Sequence, residues 1–144
     1  MATFTLFDEF IYNVLNGAID LDSHTFNAVL TNSAPTAATG DELADITQIT
    51  QQNGYLTGGV ALTSVTLTET GAGTGIWQWT AADFSWTASG GDFGPFRYVV
   101  IYSDTSTGDK LVGYLDYGSS ISITSGNSFT VDIGSSGIFQ ASEA

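Results

Sequence analysis

Apolar positions fall into two regimes along the chain. Between residues 4 and 15, Phe4, Phe7, Ile11, Val14 and Leu15 recur at spacings of three and four, forming one stripe of an amphipathic helix. Thr3 or Thr5 stands where an N-cap would, Asp8 and Glu9 sit near the positive end of the helix dipole, and Gly17 marks a stop. The stripe predicts a helix within residues 1–17. That helix either packs across one end of the domain or reaches out as an arm to a partner.

Beyond Gly17 the period changes to two. Phe26, Ala28 and Leu30 alternate with Asn27, Val29 and Thr31, a strand pattern, and residues 31–40 read as turn and loop. Leu43, Ile46 and Ile49 are spaced by three, which suits a short helix or an irregular segment, and Asn53-Gly54-Tyr55 turns the chain. Val60 and Leu62 share one phase of alternation while Val65 and Leu67 share the other, so a bulge or kink is expected near Ser64. Gly71 to Gly75 form a loop before a strand over 76–80, and Phe84 with Trp86 marks a further short strand. Phe96 to Tyr102 is nearly continuous in apolar character, as in a central strand covered on both faces. Lys110 to Tyr117 is similar, with Leu111, Leu115 and Tyr117 assigned to one side and Val112 and Tyr114 to the other. Phe129, Val131 and Ile133 alternate with polar residues, and a last short strand includes Ile138 and Phe139. The sum is one N-terminal helix and seven to nine strands. It predicts a mainly β fold, an antiparallel, jelly-roll-like β-sandwich over 24–140 in a single domain spanning 1–144.

Composition narrows what such a domain does. Its 144 residues suffice for one core, and 9 Phe, 6 Tyr and 3 Trp supply bulky side chains for it. Fifteen acids face two bases, Arg97 and Lys110, for a formal net charge of −13. Phosphate recognition needs clustered Lys and Arg, so neither nucleic acid nor an anionic membrane is an expected partner. The chain has no cysteine, which removes thiolate chemistry and disulfides. The opening Met1–Thr5 lacks the basic and apolar regions of a secretory signal, and no apolar run is as long as a membrane span, so synthesis in the cytoplasm is expected.

Catalytic schemes find little material. The single histidine, His24, lacks a Gly-x-Ser-x-Gly elbow to work with and reads as a turn residue before the first strand. Gly71-Ala72-Gly73-Thr74-Gly75 is followed by Ile76-Trp77-Gln78-Trp79 rather than a helix, so it is a hairpin loop and not a phosphate cradle. No acid pair is singled out for glycoside hydrolysis. Asp20 with Asp22, and Asp41 and Glu42 with Asp45, match no calcium loop in full and read as surface acids, so neither metal nor cofactor is expected. Arg97, in an apolar run, calls for a carboxylate or carbonyl partner. Trp77 and Trp79 lie two apart on one strand face; with Trp86 they are core filling, a sugar-stacking platform or a docking surface. Phe4, Phe7, Ile11, Trp77 and Trp79 are the candidate interface residues.

Nearly the whole chain resembles a family of small tailed-phage and prophage virion proteins. The resemblance is carried by residues 4–17, Ala28 to Pro35, Leu43 to Thr47, Asn53-Gly54-Tyr55 and Phe129-Thr130-Val131-Asp132. Its strongest block is Trp86-Thr87-Ala88-Ser89-Gly90-Gly91 with Gly94-Pro95-Phe96-Arg97-Tyr98, followed by Leu111 to Gly118. The resemblance implies a non-enzymatic capsid decoration, or cement, protein on the outside of the virion. Its implied partners are the major capsid protein and other copies of itself in a homotrimer. A tail, neck or head-fibre component is the alternative within the same class, and a carbohydrate-binding sandwich the alternative outside it.

Overall fold

Ten strands, one α-helix and one 3₁₀ turn form among residues 2–143, which this computed structural model describes. In chain order they are β1 (Thr3–Leu6), α1 (Asp8–Leu15), β2 (Phe26–Thr31), the 3₁₀ turn Leu43–Asp45, β3 (Val60–Ala61) and β4 (Thr66–Glu69). Then follow β5 (Ile76–Thr80), β6 (Phe84–Thr87), β7 (Phe93–Ser103), β8 (Leu111–Ile123), β9 (Ser128–Val131) and β10 (Phe139–Ser142). A five-stranded antiparallel sheet runs β1-β8-β7-β2-β3, a three-stranded sheet β10-β5-β4, and a ribbon β6-β9. The fold is mainly β, as expected. Two four-stranded sheets, the mark of a jelly roll, are not the arrangement observed.

The apolar run predicted to be a central strand is β7, paired with β2 on one side and β8 on the other. One face of these strands, through Phe26, Ala28, Leu30, Val99, Ile101 and Leu115, packs on Trp79, Phe84, Trp86, Val131 and Ile138 of the smaller sheets and their loops. That is the main core. The opposite face carries Val29, Val100, Tyr102 and Leu111, covered by Phe7 and by Leu43 and Ile46 around the 3₁₀ turn. Both faces are thus dry, which is why alternation disappears in this part of the sequence.

The N-terminal segment departs from expectation twice. Residues 3–6 are a strand, with Phe4 opposite Leu115 and Thr5 opposite Tyr114. Gly113 makes room for it: a Cβ there would sit 2.5 Å from the Phe4 ring. The helix begins only at Asp8, with Phe7 in extended conformation at its N-cap and no side-chain cap from Thr3 or Thr5. Its inward face is also rotated from the predicted stripe. Phe10 and Asn13 are buried, while Ile11 and Leu15 are 52% and 81% exposed. Asn13 turns inward because its Nδ2 donates to Asp41 Oδ1 at 2.7 Å, a bond the apolar count does not weigh. Gly17 does end the helix, at φ +82°.

Near Ser64 the chain leaves the five-stranded sheet after β3 and enters the three-stranded sheet at β4, with Ser64 itself at φ +53°. The phase conflict between Val60/Leu62 and Val65/Leu67 therefore marks a change of sheet. In β8, Leu111 pairs with Tyr102 and Gly113 with Ile101, leaving Val112 as an extra residue. This bulge reverses the expected sides: Leu111 joins Tyr114 on the outer cluster, and Val112 joins Leu115 in the main core.

Candidate functional site

The five candidate interface residues separate into core and surface. Phe7 and Trp79 are 1% and 0% exposed and belong to the interior, which corrects their assignment as docking residues. Trp79 packs edge-on against Phe26 at 4.8 Å and tilted on Phe139 at 5.4 Å, and its Nε1 donates to the Leu21 carbonyl at 3.1 Å. Phe4 is half-buried and stacks on Phe139. Ile11 and Trp77 stand at the surface, Trp77 with 46% exposure. Trp77 and Trp79 do share a face of β5, but the core ends between them. Sequence reasoning passed over Tyr12, 62% exposed on α1 beside Ile11 and Leu15. Trp86 is buried on the ribbon, stacked near Phe129 and edge-on to Phe84.

Both bases are consumed within the fold. Arg97 makes a bidentate pair with Asp116, Nε–Oδ1 at 2.7 Å and Nη2–Oδ2 at 3.0 Å; of the carboxylate or carbonyl expected, the partner is a carboxylate. Lys110 Nζ reaches Asp41 Oδ2 at 2.5 Å and Glu42 Oε1 at 2.9 Å, tying the Asp41–Asp45 segment to the start of β8. Asp45 Oδ2 in turn accepts the Asp41 and Glu42 amides. Asp20 closes its own turn, accepting from the Ser23 hydroxyl at 2.7 Å and the Asp22 and Ser23 amides. Of the acids weighed as calcium ligands, Asp20, Asp41, Glu42 and Asp45 are therefore engaged in turns and ion pairs. Among the described residues no group of three or more His, Cys, Asp or Glu is placed to hold a metal ion.

These contacts set the acid limit of stability. The Arg97 guanidinium and the Gly118 amide hold Asp116 below the ordinary Asp value of 3.8. The Ser23 hydroxyl does the same for Asp20, and the Asp41 amide for Asp45. Burial raises Asp41, but hydrogen bonds from Lys110 and Asn13 outweigh it. Asp109 moves the other way, raised by burial and by the charges of Asp104 and Glu42. A carboxylate lowered by the fold stabilises above its unfolded value and loses that contribution as pH falls through its folded value. Melting temperature is therefore expected to fall as pH drops below 3.8, and Asp116→Asn to flatten that fall. Asp109→Asn, relieving a carboxylate whose charge the fold disfavours, raises the melting temperature at pH 7. Thermal melts followed by circular dichroism from pH 7 to pH 2 check both signs.

His24 is a structural turn residue. Its Nδ1 lies 3.0 Å from Ser103 Oγ and 3.3 Å from the Asp20 amide, and Ser103, at the end of β7, is fully buried. The Asp20 carboxylate accepts from its own turn, and among the described residues no carboxylate is hydrogen-bonded to the His24 ring. The glycine-rich segment is the β4–β5 hairpin loop, where Glu69 accepts the Gly73 and Gly75 amides at 3.2 and 2.9 Å. No helix among the described residues is long and apolar enough to cross a membrane. The chain matches no protein-family model, no curated protein and no solved structure.

Proposed function

We propose that this chain is a non-enzymatic virion structural protein, a capsid decoration (cement) protein that binds the outside of a tailed-phage capsid and stabilises it. Its partners are the major capsid protein and two further copies of itself in a homotrimer. The observation that carries the reading is helix α1. Phe7 and Phe10 anchor it in the core, while Ile11, Tyr12 and Leu15 are held outward on a short rigid element. Large apolar side chains fixed at a surface in this way supply the desolvated centre of a protein interface. The folded surface is 7061 Å², and three contacts of about 800 Å² each would occupy roughly a third of it. Repulsion between acidic copies is screened beyond about 8 Å at physiological salt, so the charge does not oppose a trimer.

Purified particles are expected to hold the chain in a constant ratio to the major capsid protein, measured by quantitative mass spectrometry. Leu15→Asp is expected to lower that ratio at least tenfold, on the order of the ~2 kcal/mol lost at an interface hot spot, with little change in melting temperature. A few copies per particle would instead assign the chain to the tail, neck or a head fibre. A carbohydrate-binding reading is favoured by one observation, the half-exposed ring of Trp77; Trp79 and Trp86 are buried and cannot stack on a sugar.

A further inference from the structure

Two concavities border β10. The first, about 700 Å³, lies between β1 and the chain from Ser136 to Gln140. The second, about 550 Å³, runs across the three-stranded sheet from Ala141–Glu143 over Trp77 of β5 to Glu69 and the hairpin loop at the end of β4. Among the described residues β10 pairs only with β5, and β1 only with β8. A β-strand directs the amides and carbonyls of alternate residues to each side, so β1 offers an open edge away from β8 and β10 one away from β5. Natural edge strands are usually blunted by a charge, a proline or a bulge. Residues 2–7 and 133–142 contain neither charge nor proline.

The second concavity specifies more. Trp77 is half-exposed there beside two acids, Glu69 and Glu143. The loop amides of Gly73 and Gly75 hold Glu69 in place, yet neither acid meets a cation among the described residues. An aromatic face flanked by carboxylates suits a guanidinium, which stacks and pairs at once. In a second copy of this chain both bases are already paired, Arg97 with Asp116 and Lys110 with Asp41 and Glu42.

We propose that the open edge of β10 takes an extended strand from another protein, whose arginine reaches over the small Ala141 to Trp77, beside Glu69 and Glu143. Backbone pairing gives the strand its direction, and the arginine gives it a stop. This rests on the reading of the chain as a protein-binding module.

The test titrates the full chain with the peptide Ac-RVTVR-NH₂, following tryptophan fluorescence and amide shifts in β10. Binding is expected to shift the residues of β10. Trp77→Ala is expected to weaken it about three- to tenfold. Of two peptides N-methylated at alternate residues, only the one blocked on the pairing edge loses binding. Equal affinity for Trp77→Ala and for both methylated peptides overturns the proposal, since it reports diffuse attraction to an acidic protein. So does an absence of binding at millimolar peptide, and so does binding of neutral cellohexaose in its place. Particle stoichiometry is measured separately, so a silent peptide with a constant capsid ratio rejects strand docking on β10 alone.

Discussion

Trp79→Ala is expected to destabilise the fold by about 4–5 kcal/mol, and Trp77→Ala, two residues away on the same strand, by about 1 kcal/mol or less. Trp79 is fully buried between Phe26 and Phe139, so truncation removes a large transfer term and leaves a cavity that the surrounding sheets can only partly close. It also leaves the Leu21 carbonyl without its donor. Trp77 has nearly half its surface in water already and stands past the edge of the core. A domain of this size shifts its melting temperature by roughly 2–4 °C per kcal/mol, so Trp79→Ala should lower it by about 8–20 °C. Against a total stability of about 5–15 kcal/mol, that loss alone can leave a large unfolded fraction at 37 °C. Thermal and urea melts of the two variants side by side decide the matter. Equal losses would mean that the core extends under Trp77, and that its ring is not available to a ligand.

The tryptophan pair also shows where reading the sequence stops. Alternation correctly places both rings on one face of β5, but where the opposing layer ends depends on sheets assembled from distant segments. The same holds at the N-terminus. Phe4 fits a helical stripe as well as a strand, and what decides is Gly113, more than a hundred residues away, whose missing side chain admits the Phe4 ring. In α1 the phase is set by Asn13 reaching Asp41, a polar bond that a hydrophobic pattern scores as a defect. Patterns with strong local cause were legible: the β7 run, the Phe84/Trp86 alternation, the Gly71–Gly75 hairpin and the break near Ser64. Arg97 was legible in kind, as a cation needing a carboxylate or carbonyl partner. That the carboxylate is Asp116 follows only from the register that sets Tyr98 opposite it. The open edges of β1 and β10 were not legible at all, because an edge is defined by strand order, and strand order here is long-range.

One position with no side chain carries as much of the fold as any aromatic. Gly59→Ala is expected to cost about 2–5 kcal/mol, the sum of left-handed strain and an overpacked backbone contact. Gly59 sits at φ +75°, immediately before β3, and a Cβ there would lie 1.7 Å from the Ala28 carbonyl oxygen and 2.6 Å from its carbon. Ala28 is fully buried in β2 and pairs with Val60, so neither strand can retreat without opening the sheet that both belong to. Gly17→Ala separates the two effects. Gly17 has nearly the same φ, +82°, but nothing within 4 Å of the added carbon. Its substitution should therefore cost only the conformational strain, about 1–2 kcal/mol. Urea unfolding of both variants measures the difference, which is the energy of the close approach between β3 and β2. If the two losses coincide, that contact relaxes freely and β3 is a loosely held edge. If Gly59→Ala is far the worse, the edge beside β2 is fixed by backbone packing, and the five-stranded sheet is rigid on the side opposite its open β1 edge.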